Sequence, residues 1–360
     1  MNRMDGSNRI NRITRMKTFV PVLLVFILLF GCINLDFLGG KQEPAKTNAT
    51  NETIQKNETG KVVIISQTNT TAINNGSETS VKPPKPSGMQ YTETPNDVFA
   101  VYFISVAGSE GQGDAILIKK GDADILIDAG PNKNGAKTID FLKSRNIDDI
   151  ELLVSTHADP EHYNGIYALL DKYDVEEFWW PGNAYSNNDY SDLVSKLYDS
   201  GVPVKAVSKG DGATINGISL YVLNPSKKGT GFGGTDSVDN DAIVIKVVQD
   251  KFCLLLTSDI AYGAQTLLAT STDVKCEILQ IPYHGLGKGN SQIDTFLLKV
   301  APKYAIISGG VSDQSADKKG TRLSLYEKLK LRGIKYFENY KNGTVKITSD
   351  GSVYDIQFVN

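Results

Sequence analysis

Cysteine and histidine are scarce in this 360-residue sequence, with three of each. Three cysteines are too few for the disulfide framework that holds many small secreted domains together. Cys253 lies in the apolar run Phe252–Leu256, so we expect a buried free thiol there. Long hydrophobic runs are scarce as well, because the apolar stretch Phe19–Phe30 is shorter than the about 20 residues that a membrane-spanning helix needs.

An excess of positive charge is also lacking in the body of the chain. Residues 1–31 carry five basic side chains and one acidic one, so the total net charge of −3 leaves about −7 for the rest. An acidic body lacks the basic face that broad, sequence-independent binding to nucleic acid requires. The acidic charge therefore argues against a nuclease function but does not exclude it.

The N-terminus has the features of a targeting segment. A basic stretch precedes the apolar run, which is followed by Leu29-Phe30-Gly31-Cys32, a sequence similar to a lipobox. Cleavage before Cys32 would let its thiol carry a lipid, and the alternative is an uncleaved signal anchor. Both alternatives predict an extracytoplasmic, membrane-anchored protein.

The composition changes twice along the chain. Residues 33–97 are rich in polar residues and proline, which predicts a disordered linker between a signal peptide at 1–32 and a folded domain at 98–360. Five Asn-x-Ser/Thr triplets in the linker would allow a glycosylated stalk, although such triplets are frequent in any Asn- and Thr-rich segment. They begin at Asn48, Asn51, Asn57, Asn69 and Asn75.

Beyond residue 98, runs of β-branched and aromatic residues alternate with helical patterns. The clearest predicted strands are Val98–Val106, Ala115–Lys119, Asp124–Asp128, Glu151–Ser155, Ile243–Val248, Phe252–Thr257 and Tyr304–Ser308. Helices are predicted near Ala136–Arg145, Tyr190–Ser200 and Leu323–Arg332, and a hairpin around Lys341-Asn342-Gly343. Mixed strands and helices in one domain predict two packed sheets with helices on their outer faces.

Two of the three histidines fall in one short window that follows the predicted strand Glu151–Ser155. The window is Thr156-His157-Ala158-Asp159-Pro160-Glu161-His162. Imidazoles and carboxylates at this density are typical ligands for zinc, iron or manganese. The alternative, a polar turn that caps the next helix, leaves the clustering of scarce histidines unexplained.

This window resembles the His-x-His-x-Asp-His signature of the metallo-β-lactamase superfamily, in the variant of the ComEC-type competence proteins that has Asp at the second histidine. Glu161 stands where the family has Asp. The resemblance continues in Gly111-Gln112-Gly113-Asp114-Ala115, Leu126-Ile127-Asp128-Ala129-Gly130, Asp239-Asn240-Asp241, Leu256-Thr257-Ser258-Asp259-Ile260 and Ile281-Pro282-Tyr283-His284-Gly285. It implies an α/β (α+β) fold, the four-layer αββα metallo-β-lactamase sandwich, over residues 98–360.

The resemblance also implies a set of site residues. One or two divalent metal ions, manganese or zinc first and iron as a further option, would be held by His157, Asp159, Glu161, His162, Asp259 and His284. Asp259 would bridge the two ions. Asp128 would orient the ligand loop without being a ligand itself. The position that usually completes one metal's ligands has no histidine, so Asp241, Asn240 or water would serve there.

The implied chemistry is metal-assisted hydrolysis, with Asp159, Glu161 and Asp259 as catalytic residues. Glu161 could be a metal ligand or a general base. Tyr283 and Lys288 are candidates for substrate binding, although Lys288 could equally be a solvated loop lysine.

Three functions remain open at this point. The first is hydrolysis of phosphodiester bonds at the cell surface, with DNA as the first partner to test. The second is hydrolysis of another phosphoester, an ester or a lactone. The third is a binding protein that keeps the fold without activity, because one scaffold hosts many functions.

Overall fold

The computed structural model describes the strands Glu52–Lys56 and Val62–Ser66 and residues 98–359, apart from residues 107–111, 230–235, 272, 287–293 and 310–315. The predicted leader with Cys32, and Lys288, lie outside the described residues. Within the described part, no helix is both long enough and apolar enough to cross a membrane.

The described strands, in chain order, are β1 (Glu52–Lys56), β2 (Val62–Ser66), β3 (Phe99–Phe103), β4 (Ile116–Lys120), β5 (Ala123–Ile127), β6 (Leu152–Val154), β7 (Phe178–Trp180), β8 (Val204–Ala206), β9 (Gly212–Ile215), β10 (Ile218–Asn224), β11 (Val244–Gln249), β12 (Phe252–Leu256), β13 (Ile278–Gln280), β14 (Tyr304–Ile307), β15 (Lys335–Glu338), β16 (Thr344–Ser349) and β17 (Tyr354–Val359). β1 and β2 pair with each other in an antiparallel hairpin. This hairpin lies in the segment for which the composition predicts a disordered linker.

The described helices are α1 (Ala136–Ser144), α2 (Pro160–Tyr163), α3 (Ile166–Leu169), α4 (Asn188–Asp199), α5 (Ser237–Asn240), α6 (Tyr262–Ser271), α7 (Asp294–Val300), α8 (Ala316–Leu331) and α9 (Asn339–Asn342). A 3₁₀ turn covers Pro282–Gly285.

Two mixed sheets form the centre of the domain. The first sheet has eight strands in the order β17-β16-β3-β4-β5-β6-β7-β8, and the second has seven in the order β15-β14-β13-β12-β11-β10-β9. Strands β5 to β8 are parallel in the first sheet, and β12 to β15 are parallel in the second. Each parallel run needs crossover helices, which cover the outer face of its sheet.

The alternation of side chains along each strand separates three cores. Phe99, Val101 and Phe103 of β3 face the second sheet in the central core, whereas Ala100 and Tyr102 face the outer helices. Residues of α1, α3 and α4 complete the outer core of the first sheet. Residues of α6, α7 and α8 complete that of the second. The four-layer αββα sandwich is therefore confirmed.

The predicted C-terminal hairpin is displaced in the structure. Residues 339–342 form α9, and Gly343 follows it with a positive φ of 92°, which glycine adopts more readily than other residues. The chain reverses instead at Asp350, whose Oδ1 accepts the backbone N–H groups of Ser352 and Val353 at 2.9 and 2.8 Å. The prediction around Lys341-Asn342-Gly343 was wrong because an Asn-Gly pair suits a helix end as well as a turn.

The expectation of a buried free thiol at Cys253 was also wrong. Cys253 is half-buried on β12 and forms a disulfide with Cys276, with the two Cα atoms 5.1 Å apart. Cys276 lies just before β13, which pairs in parallel with β12. The parallel pairing across the α6 crossover brings the cysteines together, and local sequence does not show it.

Candidate metal centre

The site residues lie on loops that follow parallel strands in both sheets. His157 follows β6 of the first sheet, Asp259 follows β12 of the second and His284 follows β13. The carboxyl ends of parallel strands share one edge of a sheet, so packing the two sheets face to face brings these loops together. Ligands on such loops are held by strands whose own backbone hydrogen bonds are already satisfied.

On the first sheet, Asp128 organises the histidine loop. Asp128 Oδ2 lies 2.8 Å from His162 Nδ1 and accepts the Thr156 hydroxyl at 2.7 Å, while its Oδ1 accepts the Thr156 backbone N–H at 2.8 Å. A carboxylate on Nδ1 leaves Nε2 of the neutral ring free to bind a metal ion. This geometry agrees with the orienting role that the resemblance implies for Asp128.

On the second sheet, Asp259 lies between two imidazoles. Its Oδ2 is 3.5 Å from His162 Nε2 and 3.4 Å from His284 Nε2. His284 Nδ1 is 3.2 Å from the Ser308 carbonyl oxygen, which can only accept a hydrogen bond. A hydrogen therefore sits on Nδ1, and Nε2 is the ring nitrogen that faces Asp259.

Several buried polar atoms at this point have no hydrogen-bond partner. They are Nε2 of His157, His162 and His284 and Oδ1 of Asp259. The three histidines are at most 1% exposed and Asp259 is 4% exposed. Burying a polar group without a partner costs about 1–3 kcal/mol, so four such atoms together need an explanation. Divalent cations bound in this cluster would satisfy these atoms.

Among the described residues, the possible ligand atoms form four overlapping groups that suit divalent ions, and within each group they lie within 4.8 Å of one another. The groups are His157/His162/Asp259, His157/Asp159/Asp239, Asp114/Asp259/His284 and Asp114/Asp128/His162. The protein therefore contains His/Asp clusters that fit divalent metal binding.

Asp239, rather than Asp241 or Asn240, lies beside His157 and Asp159. Asp241 instead accepts the Tyr185 hydroxyl hydrogen bond, and Asn240 Oδ1 accepts the backbone N–H of Ala264 at 2.8 Å. Asp239 is the member of the triplet in a candidate ligand group, because α5 turns the three neighbouring side chains in different directions, and ligation by Asp241, Asn240 or water stays a prediction. Helical geometry separates consecutive residues by about 100°, which sequence order alone does not resolve.

The remaining residues of the histidine loop have mixed roles. Asp159 Oδ1 accepts the Glu161 backbone N–H at 3.0 Å and so caps α2, which agrees with the alternative interpretation of the loop as well as with metal binding. Glu161 is half-buried. Among the residues that the structure describes, it belongs to none of the groups of three or more clustered metal-ligand side chains.

Charge coupling dominates the site in the absence of metal. Burial would raise the pKa of Asp259, but attraction to His284 and His162 outweighs it and holds that pKa well below its usual range. Burial would lower the pKa of His284, yet Asp259 and Asp114 raise it to about 9. Burial and the charge of His162 lower the pKa of His157 to about 4. Cation binding would therefore displace protons from this centre.

Backbone strain is concentrated at the same loops. Asp128, Ser258, Tyr283 and His284 all have left-handed backbone conformations, with φ between 49° and 57°. Such values are uncommon for residues other than glycine and cost about 1–3 kcal/mol each. Residues held in this way cluster at functional sites, because the surrounding structure must impose the conformation.

The other predicted site residues are less central. Tyr283 is half-buried on the 3₁₀ turn, and burial raises the pKa of its hydroxyl. Its backbone N–H donates to the Ser258 carbonyl at 3.1 Å, which ties the His284 loop to the Asp259 loop. Substrate binding by Tyr283 stays a prediction.

Sequence reasoning missed Asp114, Asp239 and Gln280 as site residues. Asp114 falls in the Gly-Gln-Gly-Asp-Ala stretch that supported the family resemblance, so its signal was present. Asp239 begins the Asp-Asn-Asp triplet, in which its neighbours Asn240 and Asp241 are the candidate metal ligands that the sequence predicts. Gln280 lies in a buried strand and has no local signal, because only its contacts in the folded protein connect it to the site.

Comparisons with known proteins agree with this architecture. The family model described as "Metallo-beta-lactamase superfamily" matches residues 108–255. ComE operon protein 3 of Bacillus subtilis is 25% identical over 298 residues, which cover 73% of this chain and 38% of that protein. The chain thus spans well under half the length of this curated relative.

The similarity to solved structures is weaker. The metallo-β-lactamase fold protein YhfI from Bacillus subtilis is 7% identical, with a TM-score of 0.47 and coverage of 70% of this chain and 100% of that one. CmlA, a diiron β-hydroxylase from Streptomyces venezuelae, is 12% identical, with a TM-score of 0.46 and coverage of 71% and 54%.

The identification rests on the family match and on the layered architecture. Two mixed sheets with helices on both outer faces place the histidine loop, the Asp259 loop and the His284 loop around one cluster of ligand atoms. The chain carries a metallo-β-lactamase fold domain, and its similarity to ComE operon protein 3 supports the ComEC-type branch.

Proposed function

We propose that this protein is a metal-dependent phosphodiesterase. The observation that carries the proposal is the clustering of three buried imidazole Nε2 atoms near Asp259, none of which makes a hydrogen bond. The Nε2 atoms of His162 and His284 lie 3.5 and 3.4 Å from Asp259 Oδ2, and Asp259 Oδ1 also makes no hydrogen bond. Imidazole nitrogens and a carboxylate grouped in this way are typical ligands of a divalent cation.

The donor set favours two divalent ions, manganese or zinc. His157, Asp159 and Asp239 would hold one ion, His162 and His284 the other, and Asp259 would lie between them. The set has as many carboxylates as histidines, which favours the harder manganese ion more than a site dominated by histidine does. Bound metal ions would polarise the substrate and activate a water molecule for attack.

The protein's own residues would position the reaction. Asp128 and the Ser308 carbonyl fix the Nδ1 hydrogens of His162 and His284, so both Nε2 atoms face the reaction side. The buried loops around Asp259 exclude bulk water, which strengthens electrostatic interactions with a charged substrate. Tyr283 and Lys288 are the proposed substrate contacts.

The resemblance of the site motifs to the ComEC-type competence proteins makes nucleic acid the first substrate to test. The net negative charge of the chain argues for a narrow contact with the substrate rather than a broad basic groove. Single-stranded DNA and a bis-aryl phosphodiester therefore test hydrolysis of the same kind of bond in a polymer and in a small molecule.

The experiment measures bound metal per chain and turnover of both substrates, with manganese and zinc supplied in turn. His157→Ala is the matched inactive control. We expect wild type to bind metal and to hydrolyse at least the bis-aryl phosphodiester well above the His157→Ala rate. Turnover of carboxylic esters or lactones alone would overturn the phosphodiesterase proposal in favour of another hydrolase. Metal binding without any turnover would indicate a binding protein.

Glu161 has two possible roles that one variant separates. As a general base, Glu161→Gln lowers the rate and leaves the metal content unchanged. As a ligand, the same variant lowers the metal content. Its absence from the clustered ligand groups favours the base, so we expect the first result.

We further propose that the protein acts outside the cytoplasm on a membrane anchor. The Cys253–Cys276 disulfide supports this location, because disulfides persist mainly in oxidising compartments. Mass analysis of the mature N-terminus should find lipid on Cys32, and Cys32→Ser should release the protein from membranes. An intact N-terminus that retains residues 19–30 without lipid would contradict the lipid anchor and indicate a signal anchor.

A further inference from the structure

Asp114 is a buried carboxylate of the Gly-Gln-Gly-Asp-Ala stretch, and the proposed ligand set does not use it. It lies just before β4 and is 2% exposed. Oδ2 accepts a hydrogen bond from Gln280 Nε2 at 2.7 Å, while Oδ1 is buried without a partner. Burial of this kind raises the pKa of Asp114, although the charges of His284 and His162 oppose that shift. Burying a carboxylate costs free energy unless the carboxylate is paired and hydrogen-bonded, so the contacts of Asp114 need an explanation.

Gln280 connects Asp114 to the loop that carries Asp259. Its Oε1 accepts the backbone N–H groups of Thr257 and Ser258 at 3.0 and 3.1 Å, directly before Asp259. Its Nε2 donates to Asp114 on the other side. One buried amide therefore fixes the carboxylate and the start of the Asp259 loop relative to each other.

Asp114 also lies behind the ring of His284, as seen from Asp259. Its Oδ1 is 3.8 Å from His284 Nδ1, whereas Asp259 Oδ2 is 3.4 Å from Nε2 on the opposite edge of the ring. The pair formed by Asp128 and His162 has the same order, with Asp128 at 2.8 Å from Nδ1 and Asp259 at 3.5 Å from Nε2. Both rings thus have a carboxylate behind and Asp259 in front.

We propose that Asp114, held by Gln280, is the positioning residue that makes His284 a strong metal ligand. This rests on the proposed metal-binding function of the site. The negative charge behind the ring stabilises the imidazole when its Nε2 donates electrons to a cation, as a carboxylate partner does at many metal sites. Because the Ser308 carbonyl already accepts from Nδ1, Asp114 acts through its charge rather than through a hydrogen bond.

Asp114, Asp259 and His284 have ligand atoms within 4.8 Å of one another, but Asp114 approaches His284 from the Nδ1 edge of its ring. A cation bound to His284 Nε2 lies on the edge of the ring that faces Asp259, and Asp114 faces the other edge. Gly113 further restricts the segment, because a Cβ at this position would lie 2.3 Å from the Glu161 carbonyl oxygen and φ is +144°. The close contact holds the backbone of this segment against the histidine loop.

The test measures the affinity of the protein for Co²⁺ by visible absorption and for Zn²⁺ by competition with a chelator. Asp114→Asn keeps the shape and removes the charge, so we expect about 10–100-fold weaker binding in one phase of the titration. The phase is identified with His284→Ala, which removes the ligand itself. Asp273→Asn, at an exposed carboxylate paired with Lys246, is the matched control and should leave both phases unchanged.

The double variant separates positioning from ligation. If Asp114 acts through His284, adding Asp114→Asn to His284→Ala changes affinity by no more than about twofold, the scatter of independent sites. An equal loss in both backgrounds would overturn the proposal and make Asp114 a ligand. Unchanged affinity of Asp114→Asn would overturn it as well.

Gln280→Glu provides a second variant in case Asp114→Asn does not fold. It keeps the acceptor for the backbone of Thr257 and Ser258 but removes the donor to Asp114. The same binding phase should weaken, because the carboxylate is no longer held behind His284. A wild-type protein that binds no Co²⁺ or Zn²⁺ would instead refute the proposed function, which distinguishes the two failures.

Discussion

The two sheets contribute to the metal centre in different ways. The first sheet supplies His157, Asp159, Glu161 and His162 from a single loop after β6. The second sheet supplies Asp239, Asp259 and His284 from three separate loops. We call these the first-sheet side and the second-sheet side.

The support behind the ligands differs in the same way. On the first-sheet side, Asp128 reaches both His162 and Thr156 directly. On the second-sheet side, His284 depends on the Ser308 carbonyl, and the Asp259 loop depends on Gln280. A compact motif is thus visible in sequence, whereas dispersed ligands require tertiary contacts to align them.

The largest effect should come from removing a ligand on either side. Alanine at His157, His162, Asp259 or His284 should each lower turnover by more than about 100-fold, because even the groups that support metal ligands commonly account for about 10–100-fold. The four replacements together should cost little more than one, since residues that act as a unit are strongly non-additive. Metal content and turnover should be measured on the same preparations.

Unequal effects of the alanine variants on the two sides would contradict a single centre built from both sheets. If alanine on the second-sheet side left metal content and turnover near those of wild type, Asp259 and His284 would be structural residues. The first-sheet side would then form the whole centre.

The next effect tests support on the first-sheet side. Asp128→Asn keeps the size of the side chain but removes the charge that faces His162 Nδ1. We expect about 10–100-fold weaker metal binding, measured by titration with a chelator. Thr138→Val, at a buried hydroxyl whose contact is the Ala129 carbonyl, serves as a control for nearby disruption. Equal losses in both variants would mean that Asp128 only maintains the packing of the loop.

The strands predicted in the folded domain and the first two predicted helices agree with the structure within about three residues, whereas α8 begins at Ala316 rather than near Leu323. Alternation and helical periodicity are local properties, so β3, β12 and α4 could be predicted. The disulfide between Cys253 and Cys276 could not, because it depends on parallel pairing across a crossover. Asp239 was missed because the turn of α5, rather than residue type, selects it from Asp239-Asn240-Asp241.

Sequence also suggested the residues of the centre more readily than their supports. His157, His162 and His284 stood out because the chain has only three histidines. Gln280 has no such signal, since glutamine is common and its value here lies in two backbone acceptor contacts and one donor contact. Ser308 contributes through its backbone carbonyl, which no residue type encodes.

The two sides also differ in what connects their neighbouring parallel strands at the amino ends. On the second-sheet side, the disulfide joins Cys253 of β12 to Cys276, which lies just before β13. Replacing both Cys253 and Cys276 by Ser should lower the free energy of unfolding by about 3 kcal/mol, mainly because the unfolded chain gains freedom. Urea unfolding with and without a reductant checks this, and the double variant should be insensitive to reductant.

Metal affinity should change far less than stability in that double variant. The disulfide lies at the opposite ends of the strands from Asp259 and His284. A loss of metal binding as large as that of Asp128→Asn would mean that the disulfide holds the second-sheet side in its binding geometry.

The smallest effect concerns the corresponding link on the first-sheet side, between β5 and the residue before β6. Glu151 Oε2 accepts the Asp124 backbone N–H at 2.6 Å, and Lys119 pairs with the Asp124 carboxylate at 2.9 Å. Burial raises the pKa of Asp124 and of Glu151 to about 6 each, despite the hydrogen bonds that lower them. The ordinary values are 3.8 and 4.5, so the folded protein binds more protons than the unfolded chain between about pH 4 and 6.

These shifts fix the sign of the pH dependence. The two acids should make the folded state less stable as pH rises through this window, and the cost should persist above pH 7. Glu151→Gln resembles the neutral acid and can still accept the Asp124 N–H. It should therefore flatten the decline and raise stability at pH 8 by about 1 kcal/mol at most, because a partly exposed group is screened by solvent. Urea unfolding of metal-free wild type and variant at pH 5 and pH 8 measures the difference. A variant that loses stability at pH 8 would instead show that the Glu151 charge strengthens the contact between β5 and the start of β6. Both sides of the centre would then have a stabilising connection at the strand ends far from the metal ligands, Glu151 on one side and the disulfide on the other.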